Sequence, residues 1–251
     1  MKAEGFVKGR PAELAVLDYG LFKVHANGRV IGICGFAIRT DADETILIDT
    51  GFPEKYAIDT DAASKEDRLY EFGEVLECGP GNLPNAQLAK LGLSSDDITL
   101  HVCTHTHIDH VGGLDAFPNV PILISAKERT LPRPLYWGGV QPLEWPDRNY
   151  LQVEGDVAIG PGLTVLEASG HAPGQIALMV ELPSGPVLLT SDAISRPAEI
   201  DEKFVGSWDE TVAIASANRL MALAAEQGAF VIYGHCPEQW PKLRKAPEVY
   251  T

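Results

Sequence analysis

Short runs of Val, Ile and Leu recur along the chain, cut by Gly, Pro, Asn and Asp, which is the punctuation of strands separated by turns. The pattern predicts strands at Glu13–Val24, Val30–Arg39, Thr45–Asp49, Thr99–Cys103, Pro121–Ser125, Leu163–Ala168, Gln175–Leu182, Pro186–Thr190 and Ala229–Tyr233. Ala26-Asn27-Gly28 and Pro183-Ser184-Gly185 each lie between two such runs and read as hairpin turns. Helical signals fall between the strands. Leu83–Leu91 reads as a short helix stopped by Gly92. Asp209–Gln227 reads as a long one, with Ser207 and Glu210 as a capping box and Gly228 as its stop. Val212, Ala215, Leu220, Leu223 and Ala224 are its predicted buried stripe.

Hairpins mixed with helices predict an α/β chain of the α+β type, with sheets covered by helices. No linker-like stretch divides it, so residues 1–251 read as a single domain. The outstanding irregular segment is Leu131–Tyr150, where Pro132, Pro134, Pro142 and Pro146 alternate with Tyr136, Trp137 and Trp145. Such a segment is more often a packed surface excursion than a lid. Its aromatic residues would serve a pocket or a homodimer contact equally well.

Composition narrows the function more than the fold. Hydrophobic residues make up 45% and charged residues 22% of the 251, enough for a core and unlike a disordered or fibrous chain. Twenty Lys and Arg against thirty-five Asp and Glu leave a formal charge of −15. That balance repels polyphosphate and anionic lipid, so nucleic acid and membrane surfaces are poor partners. No apolar run approaches the roughly 18–20 residues that span a bilayer. Met1–Arg10 has no apolar stretch behind it, so the expected compartment is the cytoplasm. Cys34, Cys78, Cys103 and Cys236 are scattered without a CxxC and read as reduced thiols.

The histidines carry the chemistry. Of seven, His105, His107 and His110 crowd together with Asp109 in Thr104-His-Thr-His-Ile-Asp-His110, at the end of a predicted strand. In extended backbone His105, His107 and Asp109 would project to one side, and His110 would need a turn to join them. Burying so many polar groups without a partner costs several kcal/mol, and a bound divalent metal removes that cost. His171, Asp192 and His235 each follow a further predicted strand, the usual address of site residues. Asp49, also at a strand end, suits a role in orienting a ligand histidine. His25 and His101 read as structural.

These motifs, with Leu-Ile-Asp-Thr-Gly (47–51) upstream, resemble the metallo-β-lactamase-fold hydrolases. The resemblance implies a four-layer αββα sandwich with a di-metal site at one edge of the sheets. It implies that His105, His107 and His171 bind one Zn²⁺, that Asp109, His110 and His235 bind a second, and that Asp192 bridges them; Fe, Mn or Co could replace zinc. Within that superfamily the chain is most similar to N-acyl homoserine lactone lactonases, the quorum-quenching enzymes. The segments Asn149–Gly155, Pro161-Gly162-Leu163 and Leu188–Asp192 share the likeness. The implied reaction is opening of an acyl-homoserine or related lactone by a zinc-bridging hydroxide, with Asp109 and Asp192 as catalytic carboxylates. One position departs from the pattern. Ser195 stands where those lactonases typically carry a Tyr, so Ser195, Tyr136 and Trp137 are the candidate substrate contacts.

Three rival activities share these residues. One is a thioesterase of the glyoxalase II type or another ester or phosphodiester hydrolase. The second is a mono-iron persulfide dioxygenase-like oxidoreductase, and the third a non-catalytic metal-binding module. An RNA-processing nuclease of this fold is disfavoured by the charge. A β-lactamase is disfavoured because Asp192 stands where several of those enzymes have Cys or Ser.

Overall fold

A computed structural model describes residues 2–251. Its first sheet contains β1 (Pro11–Val24), β2 (Val30–Thr40), β3 (Thr45–Ile48), β4 (Gly73–Glu77), β5 (Ile98–Val102), β6 (Ile122–Ser125) and β7 (Tyr150–Val153). Their spatial order is β4-β1-β2-β3-β5-β6-β7. The second sheet contains β8 (Val157–Gly160), β9 (Leu163–Glu167), β10 (Ile176–Leu182), β11 (Gly185–Leu189) and β12 (Phe230–Ile232), in the order β12-β11-β10-β9-β8. Both predicted hairpins form: β1 pairs antiparallel with β2, and β10 with β11. The strands β3, β5, β6 and β7 run parallel to one another, as do β11 and β12.

The helices are α1 (Lys55–Ile58), α2 (Thr60–Glu66), α3 (Pro84–Ala89), α4 (Ile108–Val111), α5 (Ala126–Arg129), α6 (Glu199–Glu202) and α7 (Glu210–Gln227). Strand periodicity sorts the apolar residues into layers. Leu14, Val16, Phe36, Ile38, Ile46 and Ile48 of the first sheet meet Val165, Leu178, Val180 and Leu189 of the second in a central core. On the outer face of the first sheet, Ala15, Leu17, Ala37 and Leu47 pack with Tyr56, Ala63 and Leu88 of α1–α3. On the outer face of the second, Leu166, Ala177, Met179 and Leu188 pack with Ala213, Ala217, Leu220 and Ala224 of α7. The result is the αββα sandwich. Among the described residues no helix is long and apolar enough to cross a membrane.

Several expectations are corrected. The strands β4, β7 and β8 were not predicted. The helix α7 is capped by Asp209, whose carboxylate accepts from Val212 N at 3.0 Å, and not by Ser207. Glu210 accepts instead from Gly206 N. The buried stripe of α7 is Ala213, Ala217, Leu220 and Ala224, whereas Val212 and Ala215 are exposed. The two readings share Leu220 and Ala224 and differ by one or two positions in the first half of the helix, because Ala carries little hydrophobic signal and the small residues face the sheet.

Candidate metal centre

Strands from both sheets end at one edge of the sandwich and deliver their following residues there. Asp49 follows β3, His105 and His107 follow β5, and Asp109 and His110 ride on α4. From the other sheet, His171 follows β9, Asp192 follows β11 and His235 follows β12. Asp109 does not arrive on extended backbone. The strand β5 stops at Val102, and His107, at φ −71° and ψ 157°, starts the turn α4. His107 O accepts from both His110 N and Val111 N, so the turn is closed on that residue. Two glycines permit close approaches around the second sheet's loops, to α7 and to the turn that carries Asp192. A Cβ on Gly170, at φ +137°, would lie 2.3 Å from Ala213 Cα, and one on Gly234 would lie 2.5 Å from Ser191 O.

The donors form two triads. In the first, His107 Nδ1 lies 3.0 Å from both His105 Nε2 and His171 Nε2. In the second, Asp109 Oδ2 lies 3.6 Å from His110 Nε2 and 3.4 Å from His235 Nε2. Asp192 stands between them. Its Oδ2 is 3.4 Å from His171 Nε2, and its Oδ1 is 3.1 Å from His235 Nε2. Ligands on a tetrahedral Zn²⁺ at bond lengths near 2.1 Å sit about 3.4 Å from one another. His110 Nε2 and Asp192 Oδ1 are buried 3.5 Å apart and neither makes a hydrogen bond. Imidazole nitrogens and carboxylate oxygens converging with unanswered lone pairs are a donor set that fits a divalent metal.

Residues 35–235 match the family model of the metallo-beta-lactamase superfamily. The chain belongs to that superfamily. It is 30% identical over 247 residues to an N-acyl homoserine lactonase of Bacillus thuringiensis, an alignment covering 95% of this chain and 96% of that one. Its fold is similar to that of an N-acyl homoserine lactone hydrolase solved with N-hexanoyl-L-homoserine at its catalytic metal centre. There the TM-score is 0.79 at 24% identity, covering 96% of this chain and 100% of that one. It is also similar in fold to a dizinc quorum-quenching lactonase, with a TM-score of 0.62 at 19% identity, covering 96% and 93%.

In this superfamily member, the outward-facing nitrogens of three histidines are fixed by what lies behind them. His110 Nδ1 is 2.8 Å from Asp49 Oδ2, and His235 Nδ1 donates to Gly32 O at 2.9 Å. Thr104 Oγ1 gives its one proton to Asp49 Oδ2 at 2.7 Å, so His105 Nδ1, 3.3 Å away, is the donor to that oxygen. Each arrangement leaves Nε2 with a free lone pair toward the centre. The two triads differ in charge. Burial, together with the neighbouring His171, pushes His107 down to about 3, and His105 and His171 shift the same way. In the second triad burial also opposes a charged His110, but Asp109, Asp49 and Asp192 prevail and push it up to about 9. Against the upward push of burial, His110 and His235 hold Asp109 down to about 2. The carboxylates thus require cations beside them, and protons and metal compete for the same lone pairs.

A cavity of about 570 Å³ opens over the donors. His107, Asp109, His171, Asp192 and His235 form its base. Phe22, Val24, Ile31 and Ile33 of the β1–β2 hairpin form one wall with Phe52 and Phe72. Phe204 and Val205 contribute to another. Ser195 and Trp137 line the cavity, but Tyr136 does not. The Tyr136 hydroxyl donates at 2.7 Å to buried Asp67, which also accepts from Tyr56 and Lys55. A left-handed φ of +59° at Tyr136 turns its side chain into the core. Its expected substrate contact is therefore corrected: the backbone of Tyr136 brackets His107, accepting from Ile108 N and donating to Thr106 O. Trp145 Nε1 donates to Leu131 O and Arg129 stacks over its ring, so this half of the irregular segment packs on the protein. His101 is fully buried and His25 is exposed, both away from the donors.

The sequence reading missed the cavity walls and the residues behind the loops. The walls had a signal, the same-face spacing of Phe22 with Val24 and of Ile31 with Ile33. Asp67 and Glu128 had none.

Proposed function

We propose that this chain is a metal-dependent lactonase acting on N-acyl homoserine lactones. The observation that carries the reading is Asp192, which directs one carboxylate oxygen toward each triad. That placement supports two ions over the single iron of a dioxygenase-like site. In this reading His105, His107 and His171 hold one ion, Asp109, His110 and His235 the other, and Asp192 spans both, with Zn²⁺ the cation best suited to the donors. The ions would supply an activated water and electrophilic stabilisation for a carbonyl oxygen.

The chain's own residues set the rest. The hairpin wall and Phe52, Phe72 and Trp137 offer an apolar surface for an acyl chain, and the acidic molecule favours an uncharged substrate. Asp109 reaches the cavity floor from α4 and is the group placed to carry a proton to the departing alkoxide. Asp49 keeps His110 in the tautomer that presents Nε2. Among the described residues no tyrosine lines the cavity, so Ser195 meets the substrate with a short hydroxyl side chain.

The test is a hydrolysis screen over acyl-homoserine lactones, simple γ- and δ-lactones, glutathione thioesters and phosphodiesters, with metal content measured on the same sample. Preferential turnover of acyl-homoserine lactones at two ions per chain is expected. Turnover confined to thioesters or phosphodiesters, or bound metal with no ester hydrolysis, would overturn it.

A further inference from the structure

The first triad depends on two loops from different sheets. Thr104–His107 follows β5, and the turn from His171 to Gly174 follows β9. Glu128, on the single turn α5, lies between them at 0% exposure. Its Oε1 accepts from Thr106 N at 2.9 Å and from Thr106 Oγ1 at 2.6 Å. Its Oε2 accepts from Gly174 N at 2.9 Å. Thr106 is flanked in sequence by His105 and His107, and Gly174 ends the turn that His171 begins. Thr106 Oγ1 also accepts from Leu135 N at 2.9 Å, joining this contact to the segment whose Tyr136 backbone brackets His107.

A buried carboxylate is costly unless its lone pairs are used. Here no Lys, Arg or His among the described residues forms an ion pair with Glu128, and the donors that satisfy it all come from the two loops. A hydroxyl or a carboxamide could not accept from both sides at once in this geometry, because a carboxamide presents one oxygen and one N–H₂. The glycine is fitted to the same contact. A Cβ on Gly174 would fall 2.4 Å from Glu128 N and 2.5 Å from Glu128 Cβ. The second triad is tied down elsewhere, with His110 and His235 held by Asp49 and by Gly32 O.

We propose that Glu128 is a positioning residue for one half of the metal centre: it clamps the His105/His107 loop to the His171 loop and sets the cation affinity of that triad alone. It touches neither the cation nor the substrate. The inference rests on the two-metal reading above, and its test separates the two.

Glu128→Gln keeps the volume and turns a donor toward one of the two loops. The variant is placed in two backgrounds, His235→Ala, which disables the second triad, and His171→Ala, which disables the first. Zn²⁺ affinity is then measured by chelator competition on metal-free protein. In the His235→Ala background the substitution is expected to weaken binding at least about tenfold. In the His171→Ala background it is expected to leave affinity unchanged. Gly174→Ala, which strains the clamp from the other side, should repeat the pattern. Equal losses in both backgrounds would mark a general packing role and overturn the proposal, as would no loss in either. A wild-type chain saturating at one ion overturns the two-metal reading instead. The clamp is then judged on that ion, supported by a tenfold loss in Glu128→Gln and contradicted by none.

Discussion

Three of the five donor histidines, His105, His110 and His235, present one nitrogen to the centre because the other is occupied. For His110 that occupation is by Asp49, which also accepts from Thr104 N at 2.9 Å and so holds both ends of the β5–α4 connection. Asp49→Ala is therefore expected to weaken divalent-metal binding about 10–100-fold, read by chelator competition. Undiminished affinity would remove Asp49 from the account. Asp192 has the larger role, being the one carboxylate shared between the triads. Asp192→Ala should lose metal and hydrolysis together by elemental analysis and assay of one sample; two retained ions at full rate would show that it does not span them. At this scale the convergence of these seven side chains was legible because potential ligands crowd at strand ends. Glu128 and Asp67 were not legible. Glu128 is satisfied by Thr106 and Gly174 and Asp67 by Lys55, Tyr56 and Tyr136, pairings that no spacing announces, and a buried carboxylate looks like any other in sequence.

Strands buried on both faces announce themselves, and the central ones were read nearly to the residue. The three that were missed lack that signature. In β4, Glu74, Leu76 and Glu77 are exposed at the sheet edge, where charged residues guard against further pairing. The strands β7 and β8 have four residues each, on the far edges of the two sheets. The cap of α7 was misread because Ser207 and Glu210 fit a capping pattern as well as Asp209 does. Backbone geometry decides it: Asp209 is extended, at φ −142° and ψ 103°, and its carboxylate reaches Val212 N. Asp209→Ala is expected to cost about 1 kcal/mol. In a chain of this size that lowers the unfolding midpoint by roughly 2–4 °C. Ser207→Ala should leave the midpoint in place, and the reverse order of effects would restore the original capping assignment.

For the whole molecule, a buried histidine makes stability depend on pH. His101 is fully buried with both ring nitrogens lacking partners, and burial, aided by Arg148, pushes it down to about 3. In the unfolded chain it would titrate near about 6.5. The unfolded state thus binds the extra proton first, so the contribution is full above pH 6.5 and is lost as pH falls toward 3. The loss approaches about 1.4 kcal/mol per pH unit within that window. His101→Leu should flatten the fall in unfolding midpoint between pH 6.5 and 4; an unchanged slope would place the acid sensitivity elsewhere.

The formal charge of −15 suits a neutral substrate and leaves the donor cluster as the place where cations concentrate. The proposed hydrolysis of an acyl-homoserine lactone would depend on cations held by these seven donors. It is tested most directly by stripping the protein with a chelator, verifying that it is metal-free, and measuring turnover of N-hexanoyl homoserine lactone before and after adding back Zn²⁺. At least about a hundredfold loss is expected on stripping, with recovery that saturates near two equivalents of Zn²⁺. Undiminished turnover by verified metal-free protein would contradict that dependence.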